Sequence, residues 1–360
     1  MNKENEQTKS GGASGFFTAV FKGTATFLYK YRQVFIKLLI ALLTLAVSTI
    51  IVFFLLRLMP GDPVREYALT LMGQRNISYE EAYRLATSQL NYDPNENVFA
   101  AFFKYAGAIF RGDFGRSIRV AEVSTVSIIA ERLPWTLLIS SIALLLSFTI
   151  GTWLGAKMAK KRSGALDGVG TTYIVVSSSV PDYLIGLLLV SLFAFRLQWF
   201  PEMGNYDAFE CTPGFNLKFI GSVLYYAFLP ITAYTISQTG VWMIMMRSST
   251  VGVLGEDYVT AAKARGLSPG TISGRYLKRN AMLPLITGVA GSFAALFGGS
   301  PLMENIFNYP GIGQALSEAI NTKDWFIVQG ILLFSSIVII LVNLLVDYVY
   351  PLFDPRVKRQ

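Results

Sequence analysis

The sequence contains no histidine, one cysteine and few charges. Each shortage removes a class of function. Without histidine there is no Ser-His-Asp or Cys-His nucleophile, no HExxH zinc site and no histidine proton relay. Cys211, standing alone, forms no intramolecular disulfide, so there is no disulfide framework. No Gly-Lys dipeptide occurs, which removes the Walker A loop and with it the P-loop mode of binding ATP. Energy from ATP would have to enter through another subunit. Charged residues make up only 15% of the chain, against about 25% in an ordinary soluble domain.

What is present instead is apolar. Hydrophobic residues are 52% of the 360 and the mean hydropathy is +0.45. They gather in runs of the roughly 20 residues that a helix needs to cross a bilayer. The net charge of +8 could suit nucleic acid, but in a membrane chain surplus Lys and Arg belong to cytoplasmic loops. The expected surroundings are therefore a lipid bilayer, with no nucleic acid. Residues 1–15 are polar, and the first apolar run starts too late and runs too long for a cleavable signal peptide. Residues 1–35 read as a cytoplasmic tail and lead-in helix.

The fold class expected is an all-α integral membrane protein of about six transmembrane helices. The first span covers 36–57 and ends at Arg57-Leu58-Met59-Pro60-Gly61-Asp62-Pro63, where two prolines and a glycine cannot continue a helix. Residues 58–133 are too polar to span and hold one amphipathic helix, Ser78–Leu90. A core over 134–350 then supplies five spans: Thr136–Ala159, Thr172–Phe195, Val223–Met246, one within Leu285–Phe307 and one within Phe326–Tyr350. Residues 351–360 form a tail.

Orientation follows from short loops. Lys157, Lys160, Lys161 and Arg162 face Asp167 between spans two and three. Arg247, Lys263, Arg265, Arg275, Lys278 and Arg279 outnumber Glu256 and Asp257 between spans four and five. The opposite side has Lys218 against Glu202, Asp207 and Glu210. The positive-inside rule makes both termini and the loop 247–283 cytoplasmic, with 58–133 outside.

Within the spans, Gly151-xxx-Gly155 and the series Gly291, Ala295, Gly299 put small residues one turn apart, which suits close helix packing or a pore-lining strip. Pro181 and Pro230 are expected to kink their helices. Asp182 is the most unusual residue, because an ionisable group in a span must face protein or water. It lines a translocation path, or it is solvated at an outward kink.

The loop between spans four and five carries the most information. Residues 256–265 are good helix formers with acids first and bases last, matching the helix dipole. Gly266 stands where a C-terminal glycine belongs, and Ser268-Pro269 reads as the cap and first turn of a second helix towards Asn280. The loop is thus two short helices at a sharp turn. It could be a knob that docks in a partner's groove, or a solvated basic loop that only fixes topology.

At this point the sequence resembles a known family. Thr260-Ala261-Ala262, three residues and then Gly266 look like the EAA loop of ABC-importer permeases. Gly112-Asp113-Phe114-Gly115-Arg116-Ser117, Leu197-Gln198-Trp199-Phe200-Pro201, Glu304-Asn305-Ile306-Phe307-Asn308-Tyr309-Pro310-Gly311 and Asp354-Pro355-Arg356 resemble the B-type permease of the oligopeptide/dipeptide/nickel branch. So do the residues from Arg57 to Pro63 and Arg279-Asn280-Ala281 with Pro284. The resemblance runs from about Tyr29 to the C-terminus and implies a type I importer fold with a cytoplasmic EAA coupling helix. It also implies that Glu256, Tyr258, Ala261, Ala262, Gly266 and Leu267 contact an ATPase subunit. Asp257, Thr260, Lys263 and Arg265 belong to the same surface. Glu304 and the Pro310-Gly311 turn would shape an outer gate. Thr260 stands where the general pattern has Glu, and Leu283-Pro284 lies further from Gly266 than usual; both departures fit the peptide branch.

The implied partners are two ABC ATPase subunits, a second permease that is a different chain, an external binding protein and a peptide substrate. ATP and magnesium would sit on the ATPases, and this chain would hold no cofactor and no metal and perform no catalysis. A secondary transporter is the competing class, but it calls for inverted repeats and intramembrane ion ligands, and no repeat stands out. A membrane scaffold needs no coupling loop. Nickel as cargo would meet only oxygen ligands, thioethers and one thiol in this chain.

Overall fold

A computed structural model describes residue 32 and residues 35–54, 57–58, 62–90, 96–118, 123–160 and 164–353. Most of the N-terminal tail, Met59-Pro60-Gly61, Lys161-Arg162 and the C-terminal residues from Asp354 onward lie outside the described residues. The chain divides into two units, Met1–Ser48 and Thr49–Gln360. The first holds most of helix α1 (Phe35–Phe54), whose Phe35, Leu38, Leu39, Leu42 and Leu43 are exposed. Such a surface suits a helix bathed in lipid, where every backbone group is already satisfied within the helix.

The second unit begins with a helical hairpin. Asp62 Oδ1 accepts the Val64 N–H at 2.9 Å and Pro63 opens α2 (Pro63–Arg75), while Asn76 closes it at φ 53°. Helix α3 (Tyr79–Leu90) lies one residue from its expected start, and Tyr67 donates to Gln89 Oε1 at 2.7 Å across the hairpin. Helix α4 (Val98–Phe110) follows. Val64, Tyr67, Ala68 and Leu71 share one core with Ala82, Ala86, Ile118, Ile312, Trp325 and Ile331. The region is therefore a packed cap over the chain's last two helices. Ser117 Oγ donates to Asp324 Oδ2 at 2.5 Å, fastening the cap where α14 begins.

Two long helices form the spine: α5 (Thr125–Lys160) and α8 (Leu217–Leu254). Helix α5 starts well before Thr136, because Pro134 sits inside the helix rather than at its edge. A Cβ on Gly151 would lie 2.5 Å from Trp242 Cβ, and one on Gly155 would lie 2.4 Å from the Met243 carbonyl oxygen. The Gly151-xxx-Gly155 pair is thus the contact by which α5 meets α8. Gly291 is different: it is exposed, and no atom stands within 4 Å of its Cβ position.

The third expected span is broken rather than kinked. Helix α6 (Ala165–Ser179) stops at Val180, and α7 (Asp182–Leu189, continued by the π-helical Val190–Arg196) leaves at 99°. Val180 is extended at φ −90°, ψ 121°, as the clash with a following proline ring demands. Pro230, in contrast, is accommodated inside a continuous α8.

After α9 (Asp257–Ala264) and α10 (Pro269–Ala281), helix α11 runs from Leu283 to Ala295 and adds one 3-10 turn to Gly298. Gly299, at φ 65°, ends it. The fifth apolar segment therefore stops short of Phe307, and Glu304 lies on a separate short helix, α12 (Pro301–Ile306). Helices α13 (Ile312–Asn321) and α14 (Trp325–Phe353) complete the chain. Among the described residues four helices are long and apolar enough to span, and the bent pairs α6–α7 and α10–α11 bring the number to six.

Candidate functional site

The loop helix α9 has two unlike faces. Val259 and Ala262 are buried against Ile272 and Leu277 of α10, with Tyr258 and Leu267 half-buried at the border. Glu256, Asp257, Thr260, Ala261, Lys263, Arg265 and Gly266 face outward. Ala261 and Ala262 thus differ in role. Ala262 is an internal packing residue and is not available as a surface contact, whereas Ala261 is.

The turn that follows is a complete Schellman motif. Gly266 N–H donates to the Lys263 carbonyl at 2.9 Å and Leu267 N–H to the Ala262 carbonyl at 3.3 Å. Gly266 has φ +72° and open space around its Cβ position, so the glycine is required by backbone conformation and not by crowding. Ser268 Oγ then accepts the Thr271 N–H and caps α10, with Pro269 in its first turn.

Two contacts tie this loop to the bundle, and an ion pair beside it joins α8 to α6. Ser249 Oγ of α8 donates to the Ala281 carbonyl at 2.7 Å, and Lys160 at the end of α5 contacts Ser273 of α10. Arg247 forms a two-point pair with Asp167 of α6, Nε–Oδ1 at 2.9 Å and Nη2–Oδ2 at 3.1 Å.

A second site lies in the broken span. Asp182 opens α7 at the edge of a cavity of about 450 Å³, lined also by Ser140, Tyr234, Gln238, Trp242, Ser292 and Ser300. Asp182 Oδ1 accepts the Tyr183 N–H at 2.8 Å, and no cation among the described residues pairs with the carboxylate. The Tyr234 hydroxyl is buried; Ser300 approaches it without completing a hydrogen bond. The sequence reading singled out Asp182 but missed its companions. Their signal was a polar, four-residue spacing along one face of α8: Tyr234, Gln238, Trp242.

Glu304 does not join this cavity. It is 1% exposed, and both carboxylate oxygens are engaged: Oε1 by Thr136 Oγ1 at 2.9 Å, Oε2 by the Gln314 N–H at 2.9 Å. Thr136 Oγ1 also accepts the Ile312 N–H at 2.8 Å. A Cβ on Gly311 would fall 2.3 Å from Glu304 Oε2, so glycine at 311 leaves room for the carboxylate. Pro310 is half-buried beside it. These residues form a latch joining α5, α12 and α13, not a lining of the cavity.

Residues 134–359, which include both sites, match the family described as binding-protein-dependent transport system inner membrane component. A probable peptide ABC transporter permease protein, y4tP, of Sinorhizobium fredii is 32% identical over 323 residues, covering 89% of this chain and 97% of that protein. The di/tripeptide transport system permease protein DppB of Pseudomonas aeruginosa is 33% identical over 325 residues, covering 87% and 94%. Among solved structures, the inward-facing MetNI methionine ABC transporter aligns with 63% of this chain and 96% of its own, at 13% identity and a TM-score of 0.49.

Proposed function

The chain belongs to the family of binding-protein-dependent transport system inner membrane components, and from that premise we propose that it is the translocation subunit of an ATP-driven peptide importer. Its relatives named for peptides and di/tripeptides, matched over nearly their whole length, support that cargo. One observation supports the coupling: α9 turns a polar, small-residue face outward while Val259 and Ala262 hold it rigidly on α10.

In this reading loop 247–283 and both chain ends are cytoplasmic and the cap at 58–133 is outside. Two ATPase subunits carry ATP and magnesium, and each docks on a loop of this kind. Glu256, Asp257, Thr260, Ala261, Lys263, Arg265 and Gly266 make the contact, and Ala262, Tyr258 and Leu267 support it from beneath. An external binding protein delivers peptide to a path shared with a second, different permease chain. Asp182 lines that path. Glu304, Pro310 and Gly311 set the position of the outer end of the bundle. This chain binds no cofactor and hydrolyses nothing itself.

The test is gentle purification of the tagged chain from its own membrane, followed by reconstitution. The expected result is co-purification of P-loop ATPases and a second permease, with peptide uptake that stops when ATP is removed. Recovery of the chain alone, with uptake driven by an ion gradient, would overturn the proposal in favour of a secondary transporter.

A further inference from the structure

The cavity beside Asp182 has a defined chemistry. Its carboxylate lies on a broken span, where charge is costly unless the site is used. The N-terminal half-charge of α7, about +0.5, only partly offsets a full negative charge, so the cavity stays net negative. No Lys or Arg lines it. Gln238 adds an amide to the lining, and Tyr234, only 5% exposed, stands beside it with its hydroxyl buried.

Three kinds of occupant could be considered. A transition-metal ion would need more ligands than one carboxylate, since no His, Cys or second acid lines the cavity; Glu304 has both oxygens committed elsewhere. An anion, including the carboxylate end of a peptide, would meet Asp182 with no compensating cation. A primary ammonium group fits: it brings one positive charge and three donors to the Asp182 carboxylate and the Gln238 carbonyl.

We propose that this cavity is a transit site for the free ammonium end of the peptide cargo, with Asp182 as its counter-ion and Gln238 as its second acceptor. The proposal rests on the peptide-importer reading and adds a direction to it: cargo is held in the path by its N-terminus. The path then discriminates against blocked or deaminated cargo independently of the binding protein.

The test uses the whole importer complex in proteoliposomes with its binding protein and ATP. Uptake of trialanine is compared with that of its deaminated analogue, propionyl-dialanine, each at a concentration that saturates the binding protein. The wild-type complex should prefer trialanine. Asp182→Asn should lower that preference by about tenfold, the scale of a charge-assisted hydrogen bond. Asp182→Glu should keep at least half of the preference, and Gln238→Leu should lower it by about threefold. A preference unchanged in Asp182→Asn, with the complex assembling normally, overturns the proposal. So does trialanine uptake that falls when sodium is replaced by choline in the wild type but not in Asp182→Asn, which would assign the site to a metal cation. If the wild-type complex imports neither peptide with ATP, the peptide-importer reading itself fails, and that is seen before any variant is made.

Discussion

Gly266 offers the sharpest separation of backbone conformation from surface contact. Its φ is +72°, and no atom stands within 4 Å of the position a Cβ would take. A side chain there meets no clash, so its whole cost is the left-handed backbone, about 1–2 kcal/mol for an ordinary residue. A β-branched residue lies at the upper end of that range, and asparagine, which tolerates this region, well below it. The opposing stabilisation is small, since only Val259, Ala262, Ile272 and Leu277 are buried under the loop. A loss of about 1.4 kcal/mol changes the equilibrium constant between intact and distorted turn about tenfold, and for a turn that is only marginally stable the docking surface is then bound by up to that factor less. In reconstituted complexes, ATP-driven peptide uptake should therefore fall by up to about tenfold for Gly266→Val and up to about fivefold for Gly266→Ala, and stay within about twofold for Gly266→Asn. ATPase recovery on purification should follow the same order. Wild-type uptake by Gly266→Val would refute the role of the turn. Loss by Gly266→Asn equal to that by Gly266→Val would refute the conformational argument and point to close contact with a partner at the Cα itself.

Local packing sets the remaining predictions. Ala262→Leu should lower the melting temperature of the purified chain in detergent, since overpacking costs about 1–3 kcal/mol. Ala261→Leu, on the outer face, should leave melting unchanged yet impair ATPase binding. Gly311→Ala should displace the Glu304 carboxylate, and Glu304→Ala should strand the Thr136 hydroxyl and the Gln314 N–H. Each should destabilise by about 1–3 kcal/mol, read by thermal unfolding, and equal stability to wild type would sink the latch. Gly155→Ala should force α5 from α8 and lower the melting temperature. Gly168→Ala, in a helix with open space around it, should raise stability by up to about 1 kcal/mol. Arg247→Ala should cost about 0.5–1 kcal/mol; a double-mutant cycle with Asp167→Ala that shows no coupling would remove the pair from the account.

Much of this architecture was legible because the bilayer imposes long apolar runs. Six spans, the α3 helix, and the α9–turn–α10 loop with Gly266 and Ser268 in their capping roles all follow from local sequence. What escaped were features decided by tertiary packing. Pro181 and Pro230 look alike in sequence, yet one breaks the chain and the other lies within a helix. The difference lies in the residue before each: Val180 is free to become extended, whereas Leu229 is 3% exposed in the core that α8 shares with α5 and α7. Ala261 and Ala262 are likewise indistinguishable until α10 folds beneath one of them. Glu304 and Asp182 are both acids near apolar segments, and nothing in the local sequence separates them; the structure buries the first among donors and leaves the second at a cavity. No local pattern announces a partner that is 168 residues away in sequence, as Thr136 is from Glu304.

The same contacts explain how one chain can link a loop to a distant cavity. Helix α8 carries Gln238 on the cavity wall and Leu254 beside the loop, 16 residues or about 24 Å apart at 1.5 Å per residue. It is continuous over that length, and Gly151 and Gly155 let α5 pack directly on its backbone. The far ends of α5 and α8 both touch α10, through Lys160 with Ser273 and Ser249 with Ala281. A displacement of α9 and α10 is therefore carried by two helices that cannot slide freely past each other. Other parts of the cavity lining are built differently. Asp182 stands just past the 99° break, and Ser292 lies on a helix bounded by a 43° bend and by Gly299. A lining rigid in one part and jointed in others is the arrangement in which a push at the loop alters the cavity's shape rather than moving it whole.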